Sequence, residues 1–314
     1  MTLVSNDPSW WSLINANLIS SYFIVAASVG LMYDWALTFG QEVELIWRQR
    51  WSLMTFLYLS VHYVGIGFVV MSMLVDVPTI SVTDVVSLII NDAINWTGEV
   101  VQVILGVIMI ARLHAMYQRS RKVLTCLVII FVAIRIADAV MTAMITVQLS
   151  GEEFVLSGTY QCIIDYTGDS MFLASMIWIL GTVWEVLALC LAVWIAVKHF
   201  RELRQHSTRG IVRDCFTVLM KTHVSYFASF LAISCFKIGF FSPTLSVDIY
   251  SLNTRIYFGL AQILQSMQMF VLGPRLILGV REYHAELVAN SDAATAMISI
   301  VFQERVHVST GSSV

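Results

Sequence analysis

The residues able to do chemistry in this chain are few, and several of them interrupt long apolar runs. Arg135 and Asp138 are three residues apart, so on a helix they share one face. Glu185 lies midway along another apolar run, at a depth that matches Arg135 when residues are counted from each membrane face. The spacing predicts a buried Arg135–Asp138 or Arg135–Glu185 pair. Glu99 and Gln102 occupy the outer half of a third run and Lys237 the outer part of a sixth, which predicts a second pair, Glu99–Lys237. His62 is near the middle of the second run and Asp34 near the inner end of the first. Gln262, Gln265 and Gln268 form an i, i+3, i+6 row. A charge placed in hydrocarbon costs about 2.5–3.5 kcal/mol on insertion scales and faces the bundle interior, where it pairs, relays protons or holds a polar ligand. Glu99, Gln102, Trp178, Lys237 and Gln262 are therefore the ligand-pocket candidates. Arg135, Asp138, Glu185 and His62 are the candidates for an intramembrane charge network. The plainer reading of each is helix packing, and glutamine at this spacing also serves as glue between helices.

Other chemistries lack their residues. The run 256–274 contains no lysine for a retinal Schiff base. The histidines offer no facing pair for haem, and neither a phosphate-binding loop nor a nucleophile elbow is present. The expectation is a non-enzyme with no cofactor and no metal. Five cysteines show no metal or redox spacing. Cys162 stands alone in an outer loop, with Cys235 as its one conceivable disulfide partner. Asn95-Trp96-Thr97 fits a glycosylation sequon but lies close to the membrane surface.

The elements that must position these residues follow from composition. Of the 314 residues, 58% are apolar and 12% charged, with a net charge of −3. That is too little charge to coat a soluble surface, and too little basic charge for a nucleic-acid binder. Seven runs approach the length of about 20 residues that crosses a hydrocarbon core: 18–37, 51–75, 93–110, 123–147, 171–197, 214–241 and 256–274. Runs of this kind are helical in lipid, because a helix satisfies its own backbone. The predicted fold is an all-α, receptor-like bundle of seven transmembrane helices over 18–276, with an external N-terminus at 1–17. Fifteen of the 18 basic residues fall in the loops of one side and in the C-terminal segment. By the positive-inside rule that side is cytosolic, and so is the C-terminus. Plasma membrane is the expected location.

On the cytosolic side, Asp34 lies close in sequence to Arg48 and Arg50, and these three are predicted to form a clamp within a compact loop in which Glu42, Glu44, Arg48 and Arg50 alternate in sign. Lys198, Arg201 and Arg204 recur at helical spacing, so the fifth helix extends past the membrane. This basic face suits anionic lipid headgroups, or a heterotrimeric G protein as the sharper alternative. Leu276, Val280, Tyr283 and Leu287 predict an amphipathic surface helix over 277–289, followed by a flexible tail over 290–314.

Tyr33-Asp34-Trp35-Ala36-Leu37-Thr38-Phe39, Glu42-Val43, Ile46-Trp47 and Trp51-Ser52-Leu53 resemble the N-terminal signature of a large family of basidiomycete seven-helix membrane proteins, defined by a domain of unknown function. Gly273-Pro274-Arg275 through His284 is similar to that family's C-terminal segment. His62-Tyr63 departs from the Arg-Tyr that the resemblance leads one to expect. The resemblance implies the seven-helix architecture and no activity. The chain lacks the Asp-Arg-Tyr of G-protein-coupled receptors, reading Ala111-Arg112-Leu113 near the inner end of the third helix, and it lacks Asn-Pro-x-x-Tyr in the seventh. Three functions fit the residues: a receptor-like sensor of a small external molecule, a transporter or channel working through intramembrane Arg, Asp and Glu, and a non-signalling scaffold.

Overall fold

The computed structural model describes residues 3–5, 7–48, 51–77, 83–117, 121–156, 159–166, 170–205, 224–236, 251–279 and 281. Seven helices occur among them. They are α1 (Trp11–Glu42), α2 (Leu53–Asp76), α3 (Asp84–Met116), α4 (Arg121–Gln148), α5 (Ser170–Gln205), α6 (Val224–Phe236) and α7 (Leu252–Gly279). All but α6 are long and apolar enough to cross a membrane. Most run several residues past their apolar stretch, since helical hydrogen bonding does not stop where hydrophobicity does. Thus α1 starts at Trp11 rather than 18, and α3 at Asp84 rather than 93.

The helices alternate in direction. Thr146 near the end of α4 donates a 2.8 Å hydrogen bond to Asp92 near the start of α3, and the Tyr257 hydroxyl near the start of α7 donates to the Phe236 carbonyl at the end of α6. One end of the bundle therefore carries Arg112, Arg121, Lys122, Lys198, Arg201, Arg275 and Arg281, and is called the basic end below. The opposite end carries a three-stranded sheet that the all-helical expectation did not contain. Strands β2 (Leu149–Leu156) and β3 (Thr159–Tyr166) form an antiparallel hairpin between α4 and α5, with Leu149 opposite Tyr166. Strand β1 (Leu3–Ser5) adds in parallel, with Leu3 opposite Phe154.

The outward surface is apolar, as lipid requires: Ile129, Val147 and Trp194 are 63%, 87% and 70% exposed. Polar residues turn inward, and Glu42 and Asp138 are wholly buried. Ser28 and Thr182 return their hydroxyls to the carbonyls of Ile24 and Trp178, four residues back, so neither faces hydrocarbon unpaired. Two apolar clusters hold the bundle. One gathers Tyr58, Leu105, Ile108, Phe230 and Phe270 from α2, α3, α6 and α7. The other gathers Leu113, Phe131, Trp184 and Phe227 from α3 to α6.

Gly106 sets the approach of α3 to α4, because a Cβ there would overlap the Phe131 ring. That ring is buried and packs on Trp184 at a centroid distance of 4.9 Å, so it has little room to retreat. Gly106→Ala is expected to destabilise by about 1–3 kcal/mol, read as a lowered thermal midpoint of the purified chain. An unchanged midpoint would show that Phe131 can turn aside.

Two helices widen locally. Helix α1 continues into a π-helical turn at Val43–Trp47, and α7 contains another at Gln268–Leu272. The second lies just before Pro274, whose ring would clash with the carbonyl four residues back in a regular helix. Widening lets α7 pass through the proline to Gly279, with Leu276, Ile277 and Leu278 buried. The expected surface helix at 277–289 is thus corrected at its start, where α7 continues inside the bundle because these three side chains have apolar neighbours there. Residues 282–314 of that helix and tail lie outside the described residues, as do 214–223 and 237–241 of the sixth expected span.

Candidate functional site

A cavity of about 390 Å³ opens among α2 to α7, in the half of the bundle nearer the sheet. Its walls bring together Glu99 and Gln102 of α3, Arg135 of α4, Trp178 and Glu185 of α5, and Gln262, Gln265 and Gln268 of α7. Four of the five pocket candidates therefore share one space, and two members of the expected charge network join them. Lys237, the fifth candidate, lies outside the described residues. Phe131, Trp184 and Phe230 supply aromatic wall.

Arg135 organises the charges. Its Nη2 stands 2.5 Å from Asp138 Oδ2, and its Nη1 donates to Glu99 Oε2 at 3.4 Å. The Arg135–Asp138 alternative is the one formed. Glu185 instead accepts a 3.0 Å hydrogen bond from Gln268 Nε2, on the widened turn of α7. The row at 262, 265 and 268 therefore does both things its residue type allows: Gln268 ties α7 to α5, while Gln262 and Gln265 also face the cavity. Glu99 pairs with Arg135, one helix away; the expected Glu99–Lys237 pair involves a residue outside the described ones.

His62 does not belong to this network. It lies towards the basic end, with Nε2 3.3 Å from Glu42 Oε2. Glu42 was expected in a charged loop, but it is the last residue of α1 proper and is fully buried. Its Oε1 accepts from Trp47 Nε1 at 3.0 Å and from the Tyr63 hydroxyl at 3.2 Å, and its Oε2 from the Tyr58 hydroxyl at 3.4 Å. The π turn explains the first contact, because an i→i+5 repeat sets residue 47 over residue 42. On α2, Tyr58 and His62 are four apart, so they stack along one face, ring centroids 5.4 Å apart. Four polar or aromatic side chains from two consecutive helices thus close on one carboxylate. Residues 22–67 match the model of a family of unknown function (DUF6533).

The protein is a multi-pass membrane protein carrying this DUF6533 segment. No curated protein matches the chain. The match covers the N-terminal stretch on which the family resemblance was read, and it does not reach 273–284. Every residue of the Glu42 knot lies inside the segment, so its polar centre is built from its own two helices.

The remaining contacts tie α7 to the DUF6533 segment. Arg275 pairs with Asp34. Arg281 donates from Nη1 to the Leu45 carbonyl at 2.8 Å, and from Nη2 to the Ser52 and Thr55 hydroxyls at 2.9 and 2.5 Å. Ser52 and Thr55 themselves form the capping box that starts α2, each side-chain oxygen accepting the other's backbone N–H. Partial burial draws the Arg281 guanidinium below its ordinary range, and it stays cationic at neutral pH. Arg112 Nη2 donates to the Leu276 carbonyl at 3.3 Å, adding α3 to the latch. Of the expected Asp34–Arg48–Arg50 clamp, Asp34 is held by Arg275. Arg48 is exposed and Arg50 lies outside the described residues, while Asp34 faces inward to α7. Proximity in sequence suggested Arg48, but Arg48 follows the π turn past the end of α1, whereas Asp34 lies within the helix beside Arg275.

Cys235 is a free thiol, so a Cys162–Cys235 bridge is not made. Asn95 sits within α3 and lines the cavity.

Proposed function

We propose that the protein is a receptor-like seven-helix sensor. In this reading α6 is the sixth of seven spans, the N-terminus is external and the basic end is cytosolic. A small molecule entering from the sheet side occupies the cavity and alters the cytosolic face, where Arg121, Lys122, Lys198 and Arg201 meet anionic lipid or a heterotrimeric G protein. The resemblance to basidiomycete seven-helix proteins supports this architecture, and the plasma membrane is the proposed location.

One observation carries the reading: the cavity wall and the latch at the basic end belong to the same helix. Gln262, Gln265 and Gln268 line the cavity, Arg275 follows on α7 past a widened, proline-marked turn, and Arg281 comes just after the helix. A ligand that displaces the Gln268–Glu185 hydrogen bond acts on the turn from which the Arg275 and Arg281 contacts hang. Ligand binding then biases two arrangements of α7, latched and released.

The test releases the latch without a ligand. In Asp34→Asn/Arg281→Met, co-purification of endogenous G-protein α-subunits from nucleotide-depleted native membranes is expected to rise severalfold over wild type and to collapse when a GTP analogue is added. Failure of both forms to hold an α-subunit would overturn the signalling reading.

A further inference from the structure

Three side-chain amides in the cavity wall carry hydrogen-bonding capacity that the protein leaves unused. Asn95 and Gln102 of α3 and Gln262 of α7 are half-buried and line the cavity. Among the described residues, none of these three side chains pairs with another protein group. Gln268 is the contrast, since it is buried and donates to Glu185. A carboxamide offers two N–H donors and a carbonyl acceptor, and holding it against hydrocarbon without partners is costly. Facing the cavity, the three amides are left to its occupant.

Two contacts set the level of these groups. Helices α3, α5 and α7 run in the same direction, and the Leu105 side chain lies against Gly273. Ten residues back along α3 is Asn95, and eleven back along α7 is Gln262. The π turn at Gln268–Leu272 takes up the extra residue, so the two amides stand at one level, towards the sheet end of the cavity. The Glu185–Gln268 hydrogen bond levels α5 with α7. Seven residues before Glu185 is Trp178, which puts it at the level of Ala261 and Gln262. Two amides and a broad aromatic ring thus meet at one depth of a space of about 390 Å³, within the range of small-ligand pockets.

The charged groups of the wall are already engaged. Among the described lining residues Arg135 is the one cation, and its terminal nitrogens face Asp138 and Glu99. Glu185 accepts from Gln268. A charged guest would give up its own hydration to meet groups that already have partners. An uncharged guest that carries a donor and an acceptor side by side meets the amides without that cost. One that carries an acceptor only leaves the Asn95 and Gln262 carbonyls unmatched.

We propose that the cavity binds a compact uncharged molecule with a carboxamide or lactam edge on a flat apolar body, the edge between Asn95 and Gln262 and the body against Trp178. This deepens the sensor reading and rests on it for the location of the site.

The test uses the full chain in lipid nanodiscs and four probes of matched shape: 2-naphthamide, the methyl ketone 2-acetylnaphthalene, 2-naphthoate as the anion and 2-naphthylmethylamine as the cation. The ketone differs from the amide by a methyl in place of the amino group, so it lacks the donor alone. Thermal midpoints are measured across a concentration series, since a ligand that binds only the folded state raises the midpoint with concentration. Naphthamide is expected to raise it saturably, with an apparent affinity at least about tenfold above each other probe. In Asn95→Leu and in Gln262→Leu its advantage over the ketone is expected to fall at least about fivefold. Two variants are used so that a folding defect in one, visible in its unliganded midpoint, leaves the other to decide. Equal or stronger binding of the ketone, the anion or the cation would overturn the amide assignment while keeping the cavity as a ligand site. An advantage that survives in both variants would place the amide edge elsewhere and overturn it too. No response to any probe would also overturn it, and the latch-release assay, which needs no ligand, would then judge the sensor reading separately.

Discussion

Glu42→Leu is expected to lower the thermal midpoint of the detergent-purified chain more than the Gly106 substitution does, and to cut its folded yield. Leucine fills a similar volume, so the loss is not a cavity effect. It comes from the groups that now close on the carboxylate: Trp47 Nε1, the Tyr58 and Tyr63 hydroxyls and His62 Nε2. A buried donor left without its acceptor costs about 1–3 kcal/mol. The costs do not add fully, because Trp47 and Tyr63 are exposed and can reach lipid headgroups or water while Tyr58 and His62 are buried, so the net expectation is about 3–5 kcal/mol. Glu42→Gln keeps one acceptor oxygen and offers an amide that a tyrosine hydroxyl can accept, and it is expected to cost about 1 kcal/mol. Trp47→Phe removes one donor and should fall near the same value. A Glu42→Leu midpoint within about 2 °C of wild type, which corresponds to less than about 1 kcal/mol, would show that the knot contributes nothing to stability.

The knot also marks where reading the chain as a string falls short. Apolar runs located the six long helices and the described part of α6, because in lipid the backbone leaves one solution and a run of this length announces it. The cavity residues were legible for the same reason: a polar side chain in such a run faces inward, and inward-facing groups at similar depth meet. The sequence left open which inward groups pair. Arg135 could meet Asp138 or Glu185, and it meets Asp138. The Glu99–Arg135 and Asp34–Arg275 contacts had no signal in it, because helix rotation decides partners and a depth count does not contain it. Glu42 was misplaced for a related reason. It stands among charged residues beyond the end of the apolar run, so it looked like part of a solvated loop, whereas α1 continues to it and the π turn folds Trp47 back over it. Its signal was present in the partner helix, where Tyr58, His62 and Tyr63 place three polar rings on and beside one face. The hairpin between α4 and α5 carried no such signal, since Leu149–Tyr166 does not alternate cleanly between apolar and polar residues.

Arg135→Met is the second large effect, and its rescue is more informative than its loss. The substitution keeps an unbranched side chain of similar reach but removes the charge that faces Asp138 and Glu99. Removing one partner of a buried ion pair typically costs about 3–5 kcal/mol, mostly because the other charge remains buried. The folded yield of Arg135→Met is expected to fall sharply. In the triple variant Arg135→Met/Asp138→Asn/Glu99→Gln no charge is stranded, and most of the yield should return. If the triple variant stays as crippled as the single one, Arg135 acts through its packing on Phe131 and the charges are incidental. If the single variant folds normally, the Arg135 ion pairs contribute nothing to stability. Rescue also separates a sensor from a scaffold. A recovered triple variant has the wall of the cavity without its Arg135-centred charges, so a scaffold would be indifferent to the exchange. A sensor that works through these charges should lose its G-protein co-purification in a chain whose fold is intact. Stability and binding then part company in one protein, which packing pairs alone would not produce.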